Sequence, residues 1–140
     1  MGDRGNIGFK TDACEPLERK HVWLYSHWNG SELLQRLQNA LKSNEAQSRK
    51  DDAPYLTRIL IDRVLTDHDS ETGWGISTSI NDNEHPIIEV DCEQKMIFVR
   101  KFNFDRDAWD VDWDAEPLQK WTFDDFVTVD LESLVAVDDD

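Results

Sequence analysis

"PIIEVDCEQKMIFVRKF", residues 86–102, decides the fold. Branched and aromatic residues fill two arms around a polar centre at Glu93 and Gln94, the pattern of a β-hairpin. By the two-residue period of a strand, Ile88 and Val90 point to one face and Ile87, Glu89 and Asp91 to the other. A hairpin needs further strands and a cover. "NIGFK" (Asn6–Lys10) and "HVWLY" (His21–Tyr25) have the content of short strands joined by a polar connection with Pro16, and "HDSETGWGISTSI" starts as a loop and becomes a strand over Gly75–Ile80.

The cover comes from two amphipathic segments. Leu33, Leu34, Leu37, Ala40 and Leu41 recur at helical spacing after Ser31, an expected N-cap, and the helix ends near Lys42. Ser43–Lys50 has no periodicity and is expected to be a polar linker. In the next helix Asp51 or Asp52 caps, Pro54 fits the first turn, and Tyr55, Leu56, Ile59, Leu60 and Leu65 share a broad face. "TFDDF" has the Thr-x-x-Asp form of a capping box at Thr122 and Asp125 and opens a short helix. The expected fold is α+β: an antiparallel sheet of about four or five strands, two main helices on one face and a short C-terminal helix. Residues 1–137 form one domain and 138–140 an acidic tail.

A chain of 140 residues with 39% hydrophobic residues, six Trp and six Phe among them, supports one core. No apolar run exceeds four residues and the first ten residues carry charges, so neither a membrane span nor a signal peptide is expected. Cys14 and Cys92 lack CxxC spacing, which suits free thiols in a reducing cytoplasm. The net charge of -15 lies wholly in the second half: residues 1–65 hold nine acids and ten Lys or Arg, residues 66–140 twenty-one acids and five. Such a field repels nucleic acid and anionic membranes and attracts basic partners.

The densest acidic stretch is "FDRDAWDVDWDAEP", residues 104–117. Asp110, Asp112 and Asp114 match the first three oxygens of an EF-hand loop, but Ala115 stands where the sharp turn needs Gly, and the twelfth position is Trp121, which cannot ligate calcium. Read as extended chain, Asp110, Asp112, Asp114 and Glu116 fall on one face and Val111, Trp113 and Ala115 on the other. Like charges would then repeat every ~6.6 Å, a spacing comparable to that of phosphates along a nucleic-acid strand. With Asp105 and Asp107 these acids make a candidate partner-binding array anchored by Trp109 and Trp113; the plainer reading is a solubilising loop pinned by two tryptophans.

Two other constellations bear on chemistry. His27, His68 and His85, the last two beside acids and all three near expected strand ends, have the ligand types of a metal-dependent enzyme but no HxH, HExxH or HxxE spacing. Gly73 and Gly75 flank Trp74 before a strand rather than a helix, which is not a phosphate cradle, yet "YSHWNG" and "ETGWGIS" could form a small-ligand or nucleotide site from Arg4, Tyr25, His27, Trp28, Arg58, Glu71 and Trp74. Cys14 sits among acids that raise a thiol pKa, and no Ser occupies a GxSxG elbow, so no catalytic nucleophile, cofactor or metal is expected.

"MGDRGNI" at residue 1, "YSHWNG" at 25, "DDAPYLTRI" at 51, "ETGWGIS" at 71 and "DNEHP" at 82 occur in an order that resembles an uncharacterised family of small bacterial and phage proteins, over roughly residues 1–91. The resemblance implies a phage or mobile-element setting, where small acidic proteins often inhibit host defence. By that analogy the expected function is an anti-CRISPR-like inhibitor whose acidic surface binds a basic nucleic-acid-binding host protein or CRISPR effector complex, with no direct contact to nucleic acid or membrane. The alternatives are a nucleotide-sequestering protein and a metal-dependent enzyme.

Overall fold

The computed structural model describes residues 2–11, 21–65 and 73–134. The 86–102 hairpin forms as its pattern demands: β4 (Ile87–Asp91) and β5 (Met96–Arg100) pair antiparallel from Asp91↔Met96 to Ile87↔Arg100. Glu93 and Gln94 lie in the turn, where Asp91 accepts from the Gln94 N–H at 2.9 Å and Lys95 takes a positive φ of 58°. On the other side of β4 lies β1 (Gly5–Lys10), then β2 (Val22–Ser26) and β3 (Trp74–Ser77), while β8 (Gln119–Thr122) flanks β5. The sheet order is therefore β3-β2-β1-β4-β5-β8.

This α+β sheet differs from the expected one in two respects. Six strands take part, and β1 pairs parallel to β4, so the sheet is mixed. Alternation reports which face a side chain joins, but not the direction of the neighbouring strand. Both central strands are buried on both faces, as parallel pairing usually requires. The expected strand at Gly75–Ile80 is shorter and begins one residue earlier, at Trp74.

One face of the sheet carries α1 (Leu33–Lys42), α2 (Asn44–Ser48) and α3 (Ala53–Val64). Leu33, Leu37, Ala40 and Leu41 of α1 and Leu56, Ile59, Leu60 and Val64 of α3 close on Ile7, Phe9, Leu24, Ile88, Val90 and Ile97 of the sheet. Each large side chain so buried contributes about 1.5–3 kcal/mol. Tyr55, expected on this face, is instead 54% exposed, under the Arg49 guanidinium at 4.9 Å.

Local chemistry corrects two further expectations. Ser43–Lys50 is not a linker: Ser43 accepts from the Ala46 N–H and starts α2, whose Ala46 is fully buried. Ser31 does not cap α1, because its hydroxyl and N–H both donate to Asp3 and it lies in a 3-10 turn, Gly30–Glu32. At the other end Thr122 accepts from the Asp125 N–H at 3.1 Å and opens α4 (Phe123–Phe126), the N-cap half of the expected capping box. Gln38 of α1 ties down the end of α4 by donating to the Phe126 and Val129 carbonyls at 2.8 and 2.7 Å. Among the described residues no helix is long and apolar enough to cross a membrane. The Pro16 connection, Cys14, the 66–72 segment and the acidic tail lie outside the described residues.

Candidate functional site

The second face of the sheet holds the acidic segment. β6 (Phe102–Asn103) and β7 (Asp110–Val111) form a short antiparallel ribbon, and Phe102 and Val111 pack with Trp23 and Ile87 as a separate apolar cluster. Room for Trp23 comes from Gly8, where a Cβ would stand 2.6 Å from the indole ring. Between the ribbon strands, Asn103 accepts from the Asp105 N–H and Asp105 from the Asp107 N–H, winding Arg106–Ala108 into a 3-10 turn. Trp109 then folds over Phe102 and Phe104, meeting both rings at steep angles.

The expected one-sided ladder of acids does not form. β7 ends at Val111, and the chain turns through Trp113 N–H to Val111 O at 3.0 Å and Ala115 N–H to Asp112 O at 3.3 Å. Extended chain along the whole run would have left its backbone groups unpaired, while Asp and Ala accept turns readily. The turns instead gather Asp107, Asp110, Asp112 and Asp114 with Trp109 and Trp113 around one open hollow of about 580 Å³. A second hollow, about 270 Å³, shares Trp109, Asp110 and Trp113 and is completed by Trp23, Thr78, Ser79 and Ile80. Asp105 and Glu116, expected in the same array, line neither hollow: Asp105 serves the 3-10 turn, and Glu116 lies exposed beyond the last turn. None of the six acids from Asp105 to Glu116 makes a salt bridge among the described residues.

Beneath Trp113 lies a charged group that sequence reasoning missed. Glu89, 4% exposed, bonds His21 Nε2 at 2.6 Å and accepts from Arg100 Nε at 2.7 Å. Burial raises the Glu89 carboxyl, but the hydrogen bonds from His21 and Arg100, with their charges, outweigh it and hold it below the ordinary glutamate value. Trp113 stacks on His21 at 5.1 Å and 25°, and the Arg100 guanidinium lies 5.5 Å from the Trp113 ring centre. The wall of the hollow is thus fixed from below by a buried ion cluster. The available signal was Glu89 itself, an inward charge in an apolar strand, with Arg100 two pairs along the hairpin and so on the same face.

The sheet end where β1 and β4 begin gathers most of the other candidates. Backbone bonds from Asp3 N–H to His27 O, His27 N–H to Gly73 O and Glu84 N–H to Arg4 O stitch four sequence motifs together. Tyr25 Oη bonds His27 Nδ1 at 2.9 Å, His27 meets Trp28 edge-on at 4.1 Å, and Asp3 bonds both Ser31 and His85. Burial raises the Asp3 carboxyl, yet those hydrogen bonds and the His85 charge bring it below its usual value; Tyr25 is raised by burial and by Asp82, partly offset by Arg4. Gly73 admits Trp28, whose ring would lie 2.4 Å from a Cβ there.

Arg4, Tyr25, His27 and Trp28 therefore converge, but Trp74 faces the helix layer with Arg36 over its ring, and Arg58 pairs with Asp62 on the exposed side of α3. Glu71 and His68 lie outside the described residues. The carboxylates of Asp3, Asp82 and Glu84 near Arg4 disfavour a phosphate, and His27 and His85 are each engaged in a hydrogen bond. Among the described residues no three His, Cys, Asp or Glu side chains are placed to hold a metal ion. No protein-family model matches the chain, and no curated protein or solved structure matches it either.

Proposed function

We propose that the protein is a non-enzymatic, phage-type anti-defence inhibitor, anti-CRISPR-like in action, whose acidic hairpin occupies a basic surface that a host complex uses for nucleic acid. The phage setting follows from the motif resemblance over residues 1–91. The observation that carries the binding role is the hollow in which Asp107, Asp110, Asp112 and Asp114 meet Trp109 and Trp113, with no ion pair to those acids among the described residues. Desolvated aromatics anchor protein interfaces, and an unneutralised acidic rim steers a basic partner and selects against an acidic one.

Capture from bacterial lysates carrying defence systems, with the tagged protein washed at low and high salt, tests this. A nucleic-acid-binding complex should be retained at low salt and released at high salt, because the Coulomb part is screened. Replacing Asp110, Asp112 and Asp114 together with Asn keeps side-chain shape and should abolish the capture. Retention unchanged at both salts would overturn the proposal.

A further inference from the structure

The two hollows beside the hairpin share one wall but differ in chemistry. Four carboxylates rim the larger, whereas Trp23 and Ile80 line the smaller beside the hydroxyls of Thr78 and Ser79. One ligand group cannot suit both. A cation satisfies the first, and an aliphatic side chain satisfies the second.

Between the two common cations, the first hollow favours arginine. A guanidinium is planar, weakly hydrated and able to lie on an indole while its donors reach carboxylates at its edges; an ammonium is a compact, strongly hydrated charge. Trp109 is 42% exposed, and Phe102 and Phe104 meet it at 85° and 78° rather than stacking on it. The chain already makes contacts of this type, between Arg100 and Trp113 and between Arg36 and Trp74.

Spacing then defines the ligand. In an extended peptide, side chains two residues apart project to the same side about 6.6 Å from one another, so they can enter two neighbouring hollows whose common wall is Trp109, Asp110 and Trp113. We propose, resting on the acidic-surface reading above, that the hairpin recognises an extended segment of its partner with arginine and an aliphatic residue two positions apart. The guanidinium enters the hollow rimmed by Asp107, Asp110, Asp112 and Asp114, and the aliphatic group enters the one beside Trp23 and Ile80.

The probes are two capped peptides, Gly-Gly-Arg-Ser-Leu-Gly-Gly and its reverse, titrated into the full chain while the indole N–H resonances of its six tryptophans are followed. Trp109→Phe and Trp113→Phe variants identify the two that matter. At least one peptide should shift those two resonances selectively. Citrulline in place of arginine should weaken binding about tenfold through loss of the cation, and Gly in place of Leu by at least about as much. Because these changes are in the ligand, the protein's folding is not at issue. Two unmoved indoles at millimolar peptide, or equal binding of the citrulline peptide, would overturn the proposal. Silent indoles together with salt-sensitive lysate capture would leave the acidic-surface reading standing without this anchor; indoles that respond while capture survives the triple Asn substitution would do the reverse.

Discussion

Glu89→Gln should destabilise the fold in a way that depends on pH. At neutral pH the carboxylate serves two donors, Arg100 Nε and His21, from a position 4% exposed. An amide offers one carbonyl oxygen and no charge, so Arg100 loses its counter-ion and only one side keeps an unaltered acceptor. Removing one member of a buried ion group costs about 3–5 kcal/mol, and the near-identical shape of Gln places this case at about 3. In a domain of this length that is a fall in Tm of roughly 10 °C. The folded carboxyl titrates below its unfolded value, so its stabilisation is complete above about pH 4.3 and disappears as pH falls through the folded value. Below that point the wild-type side chain is itself a neutral isostere of Gln. Urea unfolding of both proteins at a series of pH values should therefore show a gap of about 3 kcal/mol at neutral pH that closes in acid. A gap below about 1 kcal/mol at pH 7, or one that is constant into acid, would refute the assignment of Glu89 as the buried charge holding the cluster under Trp113.

Two further changes test the packing. Gly8→Ala sets a methyl group 2.6 Å from the Trp23 ring, and relief requires the indole to move into Ile87, Phe102 and Val111; the expected loss is about 1–3 kcal/mol by urea midpoint, and a neutral result would mean the ribbon does not press on that face. Cys92 is buried, bonded to Thr57 Oγ1 at 3.5 Å, and its thiol is pushed up to about 11, so in a Cys14→Ser variant a disulfide reagent should modify it only at the rate of unfolding; rapid labelling at neutral pH would contradict its placement.

The fold was legible where one local rule acted alone. α1 and α3 follow from the spacing of their leucines and isoleucines, α4 from Thr122 and Asp125, and the β4–β5 hairpin from alternation around Glu93 and Gln94. It was obscure where distant chain competes for the same group. Ser31 has the chemistry of a cap, but Asp3, 28 residues away, takes both its donors. The parallel pairing of β1 with β4 depends on three helices and two strands lying between them in sequence, which no window of a few residues contains.

The acidic segment shows the same competition within a few residues. Alternation along Asp110–Glu116 is real, and a strand would have displayed it as a line of charge. A strand also needs a neighbour for every N–H and C=O, and β6 supplies pairs only at Phe102 and Asn103. Asp112 N–H still finds Lys101 O at 2.8 Å, but from Trp113 onward the chain turns on itself, which draws Trp113 onto His21 and Arg100 and brings Asp112 and Asp114 round to the hollow of Asp107 and Asp110. The consequence for recognition is specific. On the proposed acidic-surface reading, a line of charges would select for a long basic groove, largely by net charge, whereas an open acidic hollow with an apolar neighbour would select for individual side chains, so basic partners of equal charge should differ in affinity according to where their arginines stand.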